Sequence, residues 1–247
     1  MTAPAAPLRI VLLDTETNGL PKNRYAPISE AGAWPAILQI SWTEFDVTGR
    51  NMAHVDSKHV NVALHPSIAW DTGAAAVHGI TEAEARTGTP AVAALGELAD
   101  VLRRAAVVVA HNLDFDKSVI RAAAYTEWLR DGPVTLRDIW PRGLREFCTM
   151  RATQNLVRIP SPYYGPDSGK FKPPRLNELY MWLHGHVYDI SGGILHTSRS
   201  DTHCLAQCLS KLLRRGYVVA GADGLRVVEM VSTASVKTET SECDAVS

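Results

Sequence analysis

The run Ala105–Ala110 most narrows what this chain can become. Its residues, AAVVVA, include no polar side chain. A strand apolar on both faces belongs inside a sheet covered on both sides. Helical spacing flanks it. Val92, Leu95, Leu98, Ala99 and Leu102 share one helix face before it, and Phe115, Val119, Ala122 and Ala123 share one within Asp114–Arg130 after it. Upstream, Leu8–Leu13 reads as a buried strand ended by Asn18-Gly19-Leu20-Pro21. Ile37–Val47, closed at Gly49, and His54–Leu64 give two more strands, close enough to form a meander. Residues 152–174 read as a long Pro/Gly/Ser/Tyr-rich loop. Helices are expected over Arg175–Leu183 and Asp201–Arg215. The order predicts one α/β domain with a mixed sheet, residues 1–220, followed by a partly disordered tail, residues 221–247.

Composition limits the function classes. A formal charge of −1 over 247 residues excludes a globally basic coat for nucleic acid but leaves room for a local groove. Four cysteines, at 148, 204, 208 and 243, are too sparse for a disulfide scaffold, so reduced thiols and a cytoplasmic location are expected. Cys204 and Cys208 with His203 lack the converging ligands of a zinc site, and an apolar helix stripe explains them. No apolar run reaches the ~18 residues of a membrane span, so no membrane partner is expected.

Three clusters carry chemistry. Asp14 and Glu16 sit at the end of the first strand, where alternate residues share a face. Two such carboxylates repel unless a cation lies between them, and a divalent metal serves that role; a solvated strand end before a turn is the bland alternative. His111-Asn112-Leu113-Asp114-Phe115-Asp116 follows the central strand and opens a helix. Its acids suit a helix N-terminus, yet the place is also where open α/β sheets bind ligands. His196 lies five residues before Asp201, and Ser198 with Asp201 resembles a capping box. His184 and Asp189 share the spacing, but Ile-Ser-Gly-Gly after Asp189 cannot continue an amphipathic helix, which favours His196 and Asp201.

Together DTETNGL, HNLDFD and HTSRSD, in that order, resemble the DEDDh 3′→5′ exonuclease family, which includes the proofreading subunit of bacterial DNA polymerase III. VHGIT at Val77–Thr81 and CTM at Cys148–Met150 are secondary similarities, and the likeness runs from about Leu8 to Gly216. A variant branch has Tyr four residues before the last Asp; Thr197 stands there, which favours the His branch. The resemblance implies an RNase H-like fold with a five-stranded mixed sheet. It implies two divalent cations, Mg²⁺ or Mn²⁺, held by Asp14, Glu16, Asp116 and Asp201, with His196 taking a proton from the attacking water. It implies release of 5′-mononucleotides from a single-stranded or frayed 3′ end of DNA or RNA. Thr15, Thr17, Asn18, Gly19 and Leu20 would hold the terminal nucleotide, where family members often have Thr in place of Asn18. His111, Asn112 and Phe115 would position the strand, although Phe115 also fits the helix core. Proofreading or repair, with a polymerase or replication complex as partner, is an implied setting. A scavenger of very short oligoribonucleotides and a non-catalytic module that binds nucleic-acid ends or a polymerase are the alternatives. The intact carboxylates speak against the module.

A route for a polyanion is expected along Pro141–Arg175. There seven cations, Arg142, Arg145, Arg151, Arg158, Lys170, Lys172 and Arg175, face Glu146 and Asp167, a local excess of +5, with Tyr163, Tyr164 and Phe171 interleaved.

Overall fold

The computed structural model describes residues 6–130, 132–164, 168–189 and 197–228. Strands β1 (Leu8–Thr17), β2 (Ile37–Thr48) and β3 (Asn51–Asn61) form an antiparallel meander. Three helices follow, α1 (Thr72–His78), α2 (Glu82–Arg86) and α3 (Ala91–Arg104). Strand β4 (Val107–Ala110) pairs parallel with β1, and α4 (Leu113–Leu129) and α5 (Val134–Arg137) lead to β5 (Arg145–Cys148), parallel with β4. The five-stranded sheet has the order β3-β2-β1-β4-β5. Next come α6 (Thr149–Val157), the short pair β6 (Ile159–Pro160) and β7 (Phe171–Lys172), α7 (Leu176–His184) and α8 (Ser198–Arg214). A hairpin, β8 (Val218–Gly221) and β9 (Gly224–Val227), closes the described chain.

The strand period sorts β1 onto two cores. Val11 and Leu13 pack with Leu95, Leu98 and Leu102 of α3 and Val119 and Ile120 of α4. Ile10 and Leu12 pack on the other face with Leu179 and Leu183 of α7 and Leu205, Leu209 and Leu212 of α8. Each fully buried Leu or Ile contributes about 1.5–3 kcal/mol, so α8 is anchored far more strongly than any one polar contact would anchor it. Cys204 and Cys208 lie on this buried stripe as free thiols. Across the sheet, Glu44 is 1% exposed and receives both Arg9 and Arg104, so its buried charge is paired. No helix among the described residues is long and apolar enough to cross a membrane.

Several boundaries differ from expectation. β1 runs on through Asp14 and Glu16, because pairing with β2 continues to a register shift between Glu16 and Thr17. β3 starts earlier than His54, since the turn at Gly49, with φ of 60°, is tight. The expected loop over 152–174 holds most of α6 and the β6–β7 pair, because Ala152, Leu156 and Val157 pack against the core below α7. Helix α8 begins at Ser198, and its capping box joins Thr197 to Ser200, not Ser198 to Asp201. The division expected after residue 220 falls within the β8–β9 hairpin, and the rest of the expected tail, 229–247, lies outside the described residues.

Candidate active site

Row alternation on β1 puts Asp14 and Glu16 on the same side as Ile10 and Leu12, the side covered by α8. Asp201 lies in the first turn of α8. Carboxylate oxygens of Asp14, Glu16 and Asp201 come within 4.8 Å of one another. Asp116, 2% exposed, arrives from the first turn of α4. Its Oδ1 accepts from the Thr15 backbone N–H at 3.0 Å and from the Thr15 hydroxyl at 2.8 Å. The turn into α4 passes through Asn112, a non-glycine residue with φ of 76°, a conformation that carries backbone strain.

The electrostatics are those of acids held together against repulsion. Burial, then the charges of Asp116, Asp201 and Glu16, hold Asp14 well above the usual carboxylate range. Glu16 is pushed up to about 8 by burial and then by Asp201 and Asp116. Asp116 is raised to about 7 by burial, against the lowering effect of the two Thr15 hydrogen bonds. Among the described residues no Lys or Arg forms an ion pair with Asp14, Glu16 or Asp116. An oxygen-only donor set of high negative charge density suits a hard divalent cation, which would lower these values by its own charge. The residues therefore fit a metal.

Beside the acids lies a cleft of about 540 Å³, lined by Thr15, Glu16, Thr17, Leu20, His78 and Phe115 among others. Asn18 shapes its rim: its side-chain N–H donates to the Ala69 carbonyl at 2.8 Å, and its oxygen accepts from the Asp71 N–H at 2.9 Å. Thr17 donates to the Gly19 carbonyl at 2.8 Å. Gly19 has φ of 102°, and a Cβ there would sit 3.0 Å from an Asp71 carboxylate oxygen, so the position requires glycine. Leu20 projects from this turn, 82% exposed. His78 is buried at the end of α1, where its Nδ1 accepts from the Ile80 N–H at 3.0 Å.

Besides Asn18 at the rim and Asn112, which lines an adjoining cleft, the sequence-selected residues divide into three groups. Asp14, Glu16, Asp116, Asp201, Thr15, Thr17, Gly19, Leu20 and Phe115 meet at the acids or the cleft. Phe115 lines the cleft and also packs partly against the core. His111 is turned elsewhere: its ring nitrogens lie 3.0 Å from the Thr149 hydroxyl and 3.0 Å from the Pro174 carbonyl. Burial lowers it to about 4, so it is a neutral strut between β4, α6 and the start of α7. His196 lies outside the described residues. Asp71 was missed. It caps α1 by accepting from Ala74 and lines the cleft; an Asp before a helical segment was the available signal. Of the seven cations expected to guide a polyanion, Arg151 lines a cleft near the site, and it pairs with Asp114. Lys172 pairs with Glu178, and Lys170 sits over the Tyr164 ring.

No protein-family model matches the sequence, and no curated protein matches it. Solved structures match its fold. The zinc-bound E. coli exonuclease I complex with single-stranded DNA has a TM-score of 0.59 at 15% identity, covering 85% of this chain and 41% of that one. The chain shares the exonuclease I fold. E. coli exonuclease I with a dT13 oligonucleotide gives 0.58 at 16% identity, over 83% and 41% of the two chains. A product-bound exonuclease I structure gives 0.55 at 17%, over 83% and 43%. The five-stranded mixed sheet flanked by helices is thus RNase H-like, and the chain spans about two fifths of the length of these neighbours.

Proposed function

We propose that this chain is a divalent-metal-dependent 3′→5′ exonuclease of the DEDDh type, with its activity in a single domain. The observation that carries the reading is the convergence of Asp14, Glu16 and Asp201 within 4.8 Å, with Asp116 close enough to raise the affinity of Asp14 and Glu16 for protons. The neighbouring exonuclease I structures hold single-stranded oligonucleotides, and we extend that substrate class to this chain.

Asp14, Glu16, Asp116 and Asp201 would hold two cations, Mg²⁺ or Mn²⁺. When bound, such ions stabilise the attacking and leaving oxygens of a phosphodiester together. Thr15 fixes the Asp116 carboxylate through its two hydrogen bonds, so one ligand of the set is oriented before substrate arrives. The terminal nucleotide enters the cleft under Leu20, against Thr17 and Phe115. Its last phosphate then faces the acids, and water attacks from the side opposite the leaving 3′-oxygen. His196 takes the water's proton, a task that an imidazole, with an unperturbed pKa of about 6.5, suits near neutral pH. The product is a 5′-mononucleotide, and the shortened strand carries a new 3′-hydroxyl.

The test is a 5′-labelled single-stranded 20-mer, in DNA and RNA forms, incubated with Mg²⁺. A ladder of products shortened from the 3′ end, absent in EDTA and in Asp14→Ala, is expected. An intact oligonucleotide under both Mg²⁺ and Mn²⁺ rejects the proposal.

A further inference from the structure

A second cleft, of about 930 Å³, adjoins the first and shares Leu20 and Phe115 with it. Its other walls come mainly from the link between β1 and β2, which contributes Lys22, Arg24, Tyr25 and Trp34, and from Arg151. The link is a built structure. Lys22 N–H donates to the Ala33 carbonyl at 3.0 Å, Tyr25 N–H to the Asn23 side chain at 2.9 Å, and the Trp34 indole to the Pro27 carbonyl at 3.3 Å. On this frame Tyr25 stands 78% exposed, and the Arg24 guanidinium carbon lies 4.8 Å from its ring centroid. Arg151 is neutralised by Asp114, and neither Lys22 nor Arg24 has an ion pair with a described residue. The cleft therefore offers two uncompensated cations and a solvent-facing aromatic ring beside a pocket whose other end is acidic.

We propose that this second cleft is the seat of the nucleotides 5′ to the scissile one, and that Lys22, Arg24 and Tyr25 give the enzyme its grip on single-stranded polynucleotides longer than two residues. The inference rests on the exonuclease reading and adds to it the path of the strand. Continuity decides the direction: a strand whose 3′ end lies against Glu16 and Thr17 passes Leu20 and Phe115 and emerges between Tyr25 and α4. The chemistry fits an unpaired strand. Bases present ring faces for stacking and phosphates present charge, and both are read without regard to sequence. A neutral ligand would leave the charges of Lys22 and Arg24 unmatched, and the proposed function already assigns the terminal nucleotide to the inner cleft.

The test separates grip from chemistry. Binding of 5′-fluorescein-labelled dT20 in EDTA is followed by anisotropy across a salt series, and turnover is followed on dT20 and on the p-nitrophenyl ester of thymidine 5′-monophosphate, which reaches only the inner cleft. Tyr25→Ala is expected to weaken dT20 binding about tenfold, the effect of one lost stacking contact. Lys22→Ala and Arg24→Ala are each expected to reduce the slope of log affinity against log salt by about 0.7. Tyr25→Phe and Lys22→Arg should restore wild-type binding, and all variants should hydrolyse the small ester at the wild-type rate. Unchanged dT20 affinity and salt slope in the three alanine variants overturns the proposal, as does an equal loss on both substrates. Wild-type protein that binds dT20 through these residues but hydrolyses neither substrate leaves the cleft standing and sinks the exonuclease reading instead.

Discussion

The two clefts that meet at Leu20 and Phe115 are organised by opposite means. The inner one is built on secondary structure: a strand end and the first turns of two helices, anchored by cores on both sides of the sheet, drive carboxylates into one desolvated corner. The outer one is built on a hydrogen-bonded link and presents cations to water. The contrast teaches where free energy is stored. In the inner cleft folding works against charge repulsion, which a bound cation would relieve. In the outer cleft little is stored, so substitutions there should alter affinity and salt dependence while leaving stability alone.

The largest effect should come from the inner corner. Asp14→Asn is expected to lower kcat on a single-stranded oligonucleotide by more than a hundredfold, beyond the ~10–100-fold typical of losing a group that merely orients a ligand. The same variant should melt higher than wild type in EDTA, because one repelling charge is gone. A variant that loses activity and also stability in EDTA would mean that Asp14 is a structural residue.

Titration sharpens the contrast next. Glu16 is raised to about 8 and Asp116 to about 7, from ordinary values near 4. The folded state thus favours their protonated forms. The stability they contribute is fully present below pH about 4 and is lost as pH rises through about 7–8. Metal-free protein should therefore melt progressively lower from pH 5 to 8, whereas Asp14→Asn should show a shallower slope. Mg²⁺ should restore the lost stability at neutral pH, by about 2.7 kcal/mol at a hundredfold excess over Kd. Melting temperatures in EDTA and in Mg²⁺ across that range check this, and parallel curves would contradict it.

Thr15→Val removes the hydroxyl from Asp116 but keeps the backbone bond. A fall of about tenfold in kcat or metal affinity is expected, read by activity against Mg²⁺ concentration. The smallest effect belongs to the shared rim. Asn18→Ala breaks the tie to Ala69 and Asp71 and should cost about 1 kcal/mol by denaturant melting, with a raised KM because Leu20 is less firmly placed. An unchanged KM would show that Leu20 does not contact substrate.

What was legible in the sequence follows the same division. The buried strand Val107–Ala110, the face shared by Asp14 and Glu16, and the stripe of α8 are consequences of period, and period survives in one sequence. Loop chemistry does not. The cations of residues 141–175 were the conspicuous excess, yet pairing with Glu178 and Asp114 and stacking on Tyr164 occupy several of them. Lys22, Arg24 and Tyr25 are fewer, and only the fold brings them to a cleft that adjoins the inner one at Leu20 and Phe115. The resemblance gives His111 a role in positioning the strand, but only the fold reveals that Thr149 and Pro174 flank its ring nitrogens.

Titration calorimetry of Mn²⁺ into the metal-free protein at neutral pH, repeated in buffers of different ionisation enthalpy, is the most direct measurement. Saturable uptake is expected, accompanied by proton release as the raised carboxylic acids ionise on binding, and lost in Asp14→Asn. No uptake by the wild-type protein, or uptake that Asp14→Asn leaves unchanged, would contradict the claim that these acids form a cation-binding catalytic corner.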